Sequence, residues 1–357
     1  MSRFIAFYLP QFHPTPENDE WWGKGFTEWV NVAKARPLFR GHVQPHIPAD
    51  LGFYDLRLPI VREQQAELAK EAGVEAFCYW HYWFGNGKRL LQMPFTEVVN
   101  SKKPDFPFCL AWANHSWYKK LWDPKSKSGD KLLIEQTYPG EEDYINHFNS
   151  LLDAFRDERY VRVNNKLLFV IYDPRGFDDV ERFIKVWRRL ASENGLNDFY
   201  FVGTDYDCRF KDEIMKKGFD ATYNHDTFNI HHHLSKFKKG LLWLGRTYLH
   251  RPTVFSYKDA IKYMITDGCK ENNVIPMIVP NWDHSPRSGS NAIILHHSTP
   301  ELFRKIVQRA KEVVKDKPKE EQLVFIKSWN EWAEGNYLEP DCEYGHAYLD
   351  VLKEETK

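Results

Sequence analysis

Eight short runs of β-branched and aromatic residues recur along the chain, and stretches of helical period separate most of them. The runs are Phe4 to Leu9, Ala76 to Trp80, Phe106 to Trp112, Leu167 to Tyr172, Tyr200 to Gly203, Ala221 to Tyr223, Val274 to Val279 and Leu323 to Ser328. The helical stretches are Leu58 to Ala72, closed by Gly73, Asp143 to Asp157, Val180 to Asn194, closed by Gly195, Tyr257 to Asn272 and Pro300 to Lys315. Strands that alternate with helices pair in parallel, because each helix returns the chain to the end of the sheet where it began. Eight such units favour a (β/α)8 TIM barrel with extended βα loops over an open doubly wound sheet. No break in composition, low-complexity tract or fixed-period repeat divides the 357 residues, so residues 1–357 read as one catalytic barrel domain. Lys315 to Gln322 reads as a solvated loop, and the closing KEETK as a frayed tail.

Charge and composition narrow the function. With 49 Lys plus Arg against 50 Asp plus Glu, the formal net charge is −1, which argues against a nucleic-acid partner. Aromatic residues make up 16% of the chain, with 13 Trp, 18 Tyr and 25 Phe, and they sit among polar residues rather than in apolar runs. Sugar sites need that mixture of flat apolar faces and hydrogen-bonding edges. No window approaches the roughly 20 apolar residues of a membrane span, and no leader precedes Phe4, so a cytoplasmic protein is expected. Five cysteines, odd in number and without a C-x-x-C pair, fit reduced thiols rather than zinc or redox work.

In a barrel, chemistry collects where strands end and βα loops begin. Those positions are rich here. Strand 1 ends in Tyr8, Gln11 and His13; strand 2 in Trp80, His81 and Tyr82; strand 3 in Trp112, Asn114 and His115. Strand 4 ends in Tyr172 and Asp173, strand 5 in Asp205, strand 7 in Trp282 and strand 8 in Asn330. All are taken as sugar-binding candidates. Glu331 and Glu334 are the catalytic candidates: three-residue spacing on a turn brings two carboxyls to one face. Glycosidic cleavage asks for such a pair, one protonated and one ionised, and a separation of about 5 Å suits retention. Crowding beside aromatics also raises the pKa of one member. The competing reading is that one Glu only caps or salt-bridges the next helix.

Other motifs weigh less. His231, His232 and His233 are adjacent, so their side chains diverge, and a solvated loop is expected rather than a metal site. Asp205-Tyr206-Asp207 matches the short acidic motif of nucleotide-sugar transferases, but a lone D-x-D arises often by chance. Arg287 to Asn291 reads as an ordinary loop or a flexible cleft edge. No G-x-G-x-x-G, P-loop or G-x-S-x-G sequence occurs, which removes dinucleotide enzymes, P-loop NTPases and serine hydrolases as leading ideas. No cofactor and no metal is expected.

Several motifs together resemble the WbsX family of bacterial polysaccharide-locus proteins. They are Phe7 to Pro14 (FYLPQFHP), Trp21 to Trp29 (WWGKGFTEW), Asp50 to Asp55 (DLGFYD), Phe77 to Phe84 (FCYWHYWF), Trp112 to His115 (WANH) and Asn330 to Gly335 (NEWAEG). That family in turn is similar to glycoside hydrolase family 99, the endo-acting α-mannosidases. The resemblance implies a (β/α)8 barrel and retention through the substrate's own 2-hydroxyl. Glu331 would deprotonate that hydroxyl, which attacks the anomeric carbon to form a 1,2-anhydro sugar. Glu334 would protonate the leaving oxygen and later activate water. Tyr8 would lie near the reacting sugar, and Trp29 joins the substrate-binding set. The partner expected is an oligosaccharide or polysaccharide. Two other classes stay open: a glycosyltransferase of O-antigen or capsule synthesis, and a carbohydrate-binding protein without catalysis.

Overall fold

The computed structural model describes residues 2–119, 131–206, 209–225 and 227–356. Its strands form the expected ring. They are β1 (Arg3–Tyr8), β2 (Ala76–Trp83), β3 (Phe108–Trp112), β4 (Lys166–Ile171), β5 (Phe199–Asp205), β6 (Ala221–Asn224), β7 and β8 (Leu323–Ile326). Neighbours pair in parallel from β1 through β6, and β8 returns to pair with β1. Strand β7 is two pieces, Val274–Ile275 against β6 and Met277–Ile278 against β8. Pro276 divides them because it has no N–H for the ladder, while its carbonyl still accepts from the Phe325 N–H at 3.0 Å. The result is a nearly closed (β/α)8 barrel.

Helices α1 (Pro59–Glu71), α2 (Met93–Ser101), α3 (Glu141–Asn149), α4 (Val180–Glu193), α5 (Lys211–Lys216), α6 (Tyr257–Met264), α7 (Pro300–Val314) and α8 (Ala347–Glu355) surround the ring. Helix α4 shows why they dock. Val180, Phe183, Ile184, Trp187, Leu190 and Ala191 recur at helical spacing and are all buried, laying Phe183 and Trp187 against Trp112, Phe169 and Phe201 of the sheet. Inside the ring, Phe7 stacks on Trp80 at 4.8 Å and meets Tyr223 and Phe325 at 5.6 and 5.2 Å. These four rings close the barrel's interior and form the floor of its mouth.

The carboxy terminus differs from expectation. Helix α8 runs to Glu355, whose carboxylate takes hydrogen bonds from Gln308 and Lys311 of α7. Thr356 sits so close to Gly73 that a Cβ there would meet its Oγ1 at 2.0 Å. The charged KEET residues are therefore docked between α1 and α7 rather than frayed, because their polar ends find partners that a sequence window does not display. The 315–322 segment is a loop with one short 3-10 turn, but Lys317 is buried and donates to the Val274 carbonyl.

Candidate active site

After β8 the chain makes a small hairpin, Asn330–Glu331 against Asn336–Tyr337, joined by a 3-10 turn at Trp332–Glu334. A 3-10 turn repeats every three residues, so Glu331 and Glu334 emerge on the same side. Two features fix the turn. Ser328 Oγ donates to the Asn336 carbonyl at 2.7 Å and accepts from the Glu331 N–H at 3.0 Å. Gly335 closes it in the left-handed region at φ 54°, with Asp283 so near that a Cβ would lie 2.7 Å from its backbone nitrogen.

The two carboxyls perturb each other's titration and carry opposite electrostatics. Glu331 is buried, and its Oε1 accepts from Trp80 Nε1 at 2.9 Å. Burial first, and the negative charge of Glu334 second, push its pKa up to about 8. Burial alone would also push Glu334 up, yet Arg287, Lys327 and His284 outweigh it and hold this carboxyl far below the usual range. Arg287 Nη1 lies 2.5 Å from Glu334 Oε1, and its Nε reaches Glu28 Oε2 at 3.2 Å. The shifts run in opposite directions, so Glu331 is the member of the pair that favours the proton and Glu334 the member that favours the charge.

The sign of this shift is testable. A carboxyl whose folded pKa is raised binds its proton more tightly in the folded state, so stability falls as pH rises from the ordinary 4.5 to about 8. Glu331→Gln keeps the shape without the charge. It is expected to melt with the parent at pH near 4.5 and above it at pH 9, by an amount on the order of a few kcal/mol. Melting curves across that range check it.

Around the pair the structure gathers Trp80, Tyr82, Tyr172, Trp282 and, on the rim, His115. Tyr172 packs edge-on to Trp80 at 5.5 Å, accepts from the Tyr206 hydroxyl at 2.8 Å, and meets His115 at 5.3 Å. The Tyr82 hydroxyl lies within the field of Glu331, Arg287 and Glu28, and its pKa is raised chiefly by burial. Trp282 lies under the Lys327 ammonium, 4.8 Å from the ring centroid. Gln11 is half-buried beside the site, and its carbonyl accepts from the Glu28 N–H.

Other candidates point elsewhere, and the reason is the strand's two-residue period. Tyr8 follows inward-facing Phe7 and so faces outward, fully buried, donating to Gln65 of α1 at 2.7 Å. His81 follows Trp80 and pairs instead with His147 of α3 at 2.8 Å, where burial keeps both rings neutral. Trp112 is likewise behind the sheet, donating to the Trp83 carbonyl. Trp29 packs beneath Trp332 with its N–H on the Tyr54 carbonyl, and His13 is buried near Asp55 and Arg57. Four polar candidates hold backbone rather than face the cleft. Asn330 bridges both polar groups of Leu9, and Asn114 those of Asp173. Asp173 caps Gly176 N–H, and buried Asp205 accepts from Phe210 N–H, turning into its own loop. Asp207 lies outside the described residues. His231, His232 and His233 are exposed, and among the described residues no three His, Cys, Asp or Glu side chains converge as a metal site would need.

Four residues at the site carry little local signal: Arg287, Glu28, Lys327 and His225. Lys327 Nζ lies 2.8 Å from His225 Nε2, joining the ends of β8 and β6. Arg287 lies in the short helix Ser285–Ser288, where the sequence suggests an ordinary loop or a flexible cleft edge. A separate cavity of about 90 Å³, lined by His42, His46, Asp283, Tyr337 and Tyr344, lies behind Gly335 and excludes both glutamates. It is well below the roughly 300 Å³ of a typical ligand pocket.

Comparison with known proteins extends this picture. The family model described as "Glycosyltransferase WbsX" matches residues 4–352. An uncharacterized protein WxcX of Xanthomonas campestris pv. campestris strain B100 is 37% identical over 361 residues, covering 99% of this chain and 49% of the relative. The chain thus spans about half the length of that relative. Among solved structures, a glycoside hydrolase-like protein matches with TM-score 0.62 and 15% identity, covering 100% of this chain and 94% of the other. The GH99 endo-α-mannosidase of Bacteroides thetaiotaomicron, solved with bis-tris propane, matches with TM-score 0.59 and 14% identity, covering 99% and 96%. At such identities the two structures establish a shared fold.

Proposed function

Since this chain belongs to the WbsX family, we propose that it is a carbohydrate-active enzyme that cleaves a glycosidic bond in a bacterial polysaccharide or its precursor, with retention. The observation that carries the reading is the placing of buried Glu331 and part-buried Glu334 on one turn at the aromatic mouth of the barrel, with their carboxyls pushed in opposite directions. One carboxyl to give a proton and one to take it is the minimum for this chemistry.

The route follows the family resemblance. Glu331 takes the proton of the 2-hydroxyl as that oxygen bonds to the anomeric carbon, and the bond to the leaving oxygen breaks as Glu334 protonates it. Water then opens the 1,2-anhydro ring, losing its proton to Glu334 while Glu331 returns one to the 2-oxygen. This needs the proton on Glu334, whereas in the resting site it rests on Glu331. Both carboxyls project from one turn, so the proton has only to pass between neighbours. Resting charges alone favour the opposite assignment, with Glu331 as donor and Glu334 as nucleophile. An enzyme-linked sugar ester on Glu334, trapped with a slow substrate, would select that assignment. The anhydro route instead leaves no adduct and fails on substrates lacking the 2-hydroxyl.

Either way the active form has one proton in the pair. The alkaline limb of kcat/KM is expected near 8, where that proton is lost. The assay is a screen of polysaccharide fragments read by new reducing ends; a pH-independent rate across 7 to 9 would count against the pair. The family description favours a second reading, sugar transfer from a nucleotide donor. Tight binding of UDP or GDP with Mn²⁺ or Mg²⁺ supports transfer, and its absence alongside reducing-end release supports hydrolysis.

A further inference from the structure

After β6 the chain leaves the mouth end of the barrel and forms a 13-residue helix, Lys236–Tyr248, none of whose residues is buried. Phe237, Leu241, Leu244 and Tyr248 recur at helical spacing and make one stripe that faces solvent, with exposures from 46% for Leu244 to 75% for Phe237. Trp243 and Leu249 extend it, at 58% and 62%. The helix is held from its other side, where Leu242 packs on the core and Ser235 caps the Lys238 N–H. An ordinary surface helix turns its apolar stripe inward. This one turns it out.

The charge along this segment leans to one sign, although the field of Lys238 reaches Asp259 of the next helix, which pairs with Lys262. Residues 227–258 contain four Lys, two Arg, four His and no Asp or Glu, in a chain whose overall formal charge is −1. Lys236 and Lys238 flank Phe237 at the first turn. Large apolar and aromatic side chains bordered by lysines are what an interfacial helix presents to a bilayer, with rings among the headgroups and ammonium groups on lipid phosphates. Self-association is the poorer occupant, because a symmetric dimer through this face would set the same cations against themselves.

We propose that helix Lys236–Tyr248 docks the protein on an anionic lipid surface, lying in the interface rather than crossing it. Among the described residues no helix is long and apolar enough to span a membrane, so the contact is peripheral and reversible. Glu331 and Glu334 sit at the same end of the barrel, so docking brings that end closest to the lipid. The proposal holds whichever reaction the pair performs.

Flotation of the full chain with vesicles tests it. Binding is expected to vesicles of phosphatidylcholine with roughly one-third phosphatidylglycerol, to weaken as salt rises, and to be lost on phosphatidylcholine alone. The triple variant Phe237→Ser, Leu241→Ser, Leu244→Ser should bind at least about tenfold more weakly with unchanged circular dichroism and melting, since these side chains support no core. Lys236→Glu, Lys238→Glu, Lys239→Glu should erase the preference for anionic lipid. The idea is overturned if the parent stays unbound at low salt, or if neither variant alters flotation. It is overturned too if the serine variant abolishes a dimer seen by sedimentation while no lipid binding occurs.

Discussion

Glu334→Gln is expected to lower turnover of a cleavable saccharide on the order of 10³-fold or more, while fold and saccharide binding persist. The amide fills the same volume, and Arg287 keeps Glu28 at 3.2 Å, so no cation is stranded. On the proposed route, what is lost is the group that exchanges a proton with the reacting oxygen. The substitution also removes the negative charge that helps raise the Glu331 carboxyl, which should then fall toward its ordinary value. Because a raised carboxyl makes stability decline between pH 4.5 and about 8, that decline should flatten in the variant. The two readouts are independent. Full activity would take Glu334 out of the chemistry, whereas lost activity with an unaltered pH slope would show that the two carboxyls do not share a proton.

How far the sequence could be read depends on the range of the forces involved. The barrel was legible because each βα unit advertises itself locally: α4 carries its apolar stripe in consecutive turns, and β4 is an unbroken LLFVI run. Glu331 and Glu334 were legible for the same reason, lying three apart in one turn. Their neighbours were over-read where alternation was ignored. Phe7 and Trp80 face in, so Tyr8 and His81 face out, and this two-residue period was available in the sequence itself. Arg287 and Glu28 were not available: they meet across 259 positions, and no local pattern marks a contact of that span. Lys327 reads as the end of a strand until His225 arrives beside it from β6. The helix at Lys236–Tyr248 is a different case, since its stripe is strong but its buried partner is missing, and only coordinates reveal which way it faces.

The largest loss of stability from a single polar side chain is expected at Glu339, which no motif singles out. It is buried, with Oε1 accepting from Gln65 Nε2 at 2.6 Å and Oε2 from Trp332 Nε1 at 2.6 Å and the Tyr54 hydroxyl at 2.9 Å. Gln65 accepts in turn from Tyr8, and Tyr54 from Asn330. This one carboxyl therefore ties α1 and the ends of β1 and β8 to Trp332, the residue between the two catalytic candidates. Glu339→Ala strands three buried donors at once and should cost about 3 kcal/mol or more, read as a lower urea midpoint with an unchanged slope. Glu339→Gln should be far milder. The introduced carbonyl can take Trp332 and Tyr54, the introduced amide can donate to a flipped Gln65 oxygen, and the freed Gln65 amide can donate to the Tyr8 hydroxyl. Burial raises the Glu339 carboxyl to about 7, so the parent loses stability relative to the amide variant as pH climbs from 4.5 to 7. The amide variant should match the parent at pH 4.5 and exceed it at pH 8. Equal losses in the alanine and glutamine variants would mean that Trp332 is held by shape alone, and the turn carrying Glu331 and Glu334 would then owe its position to Ser328 and Gly335.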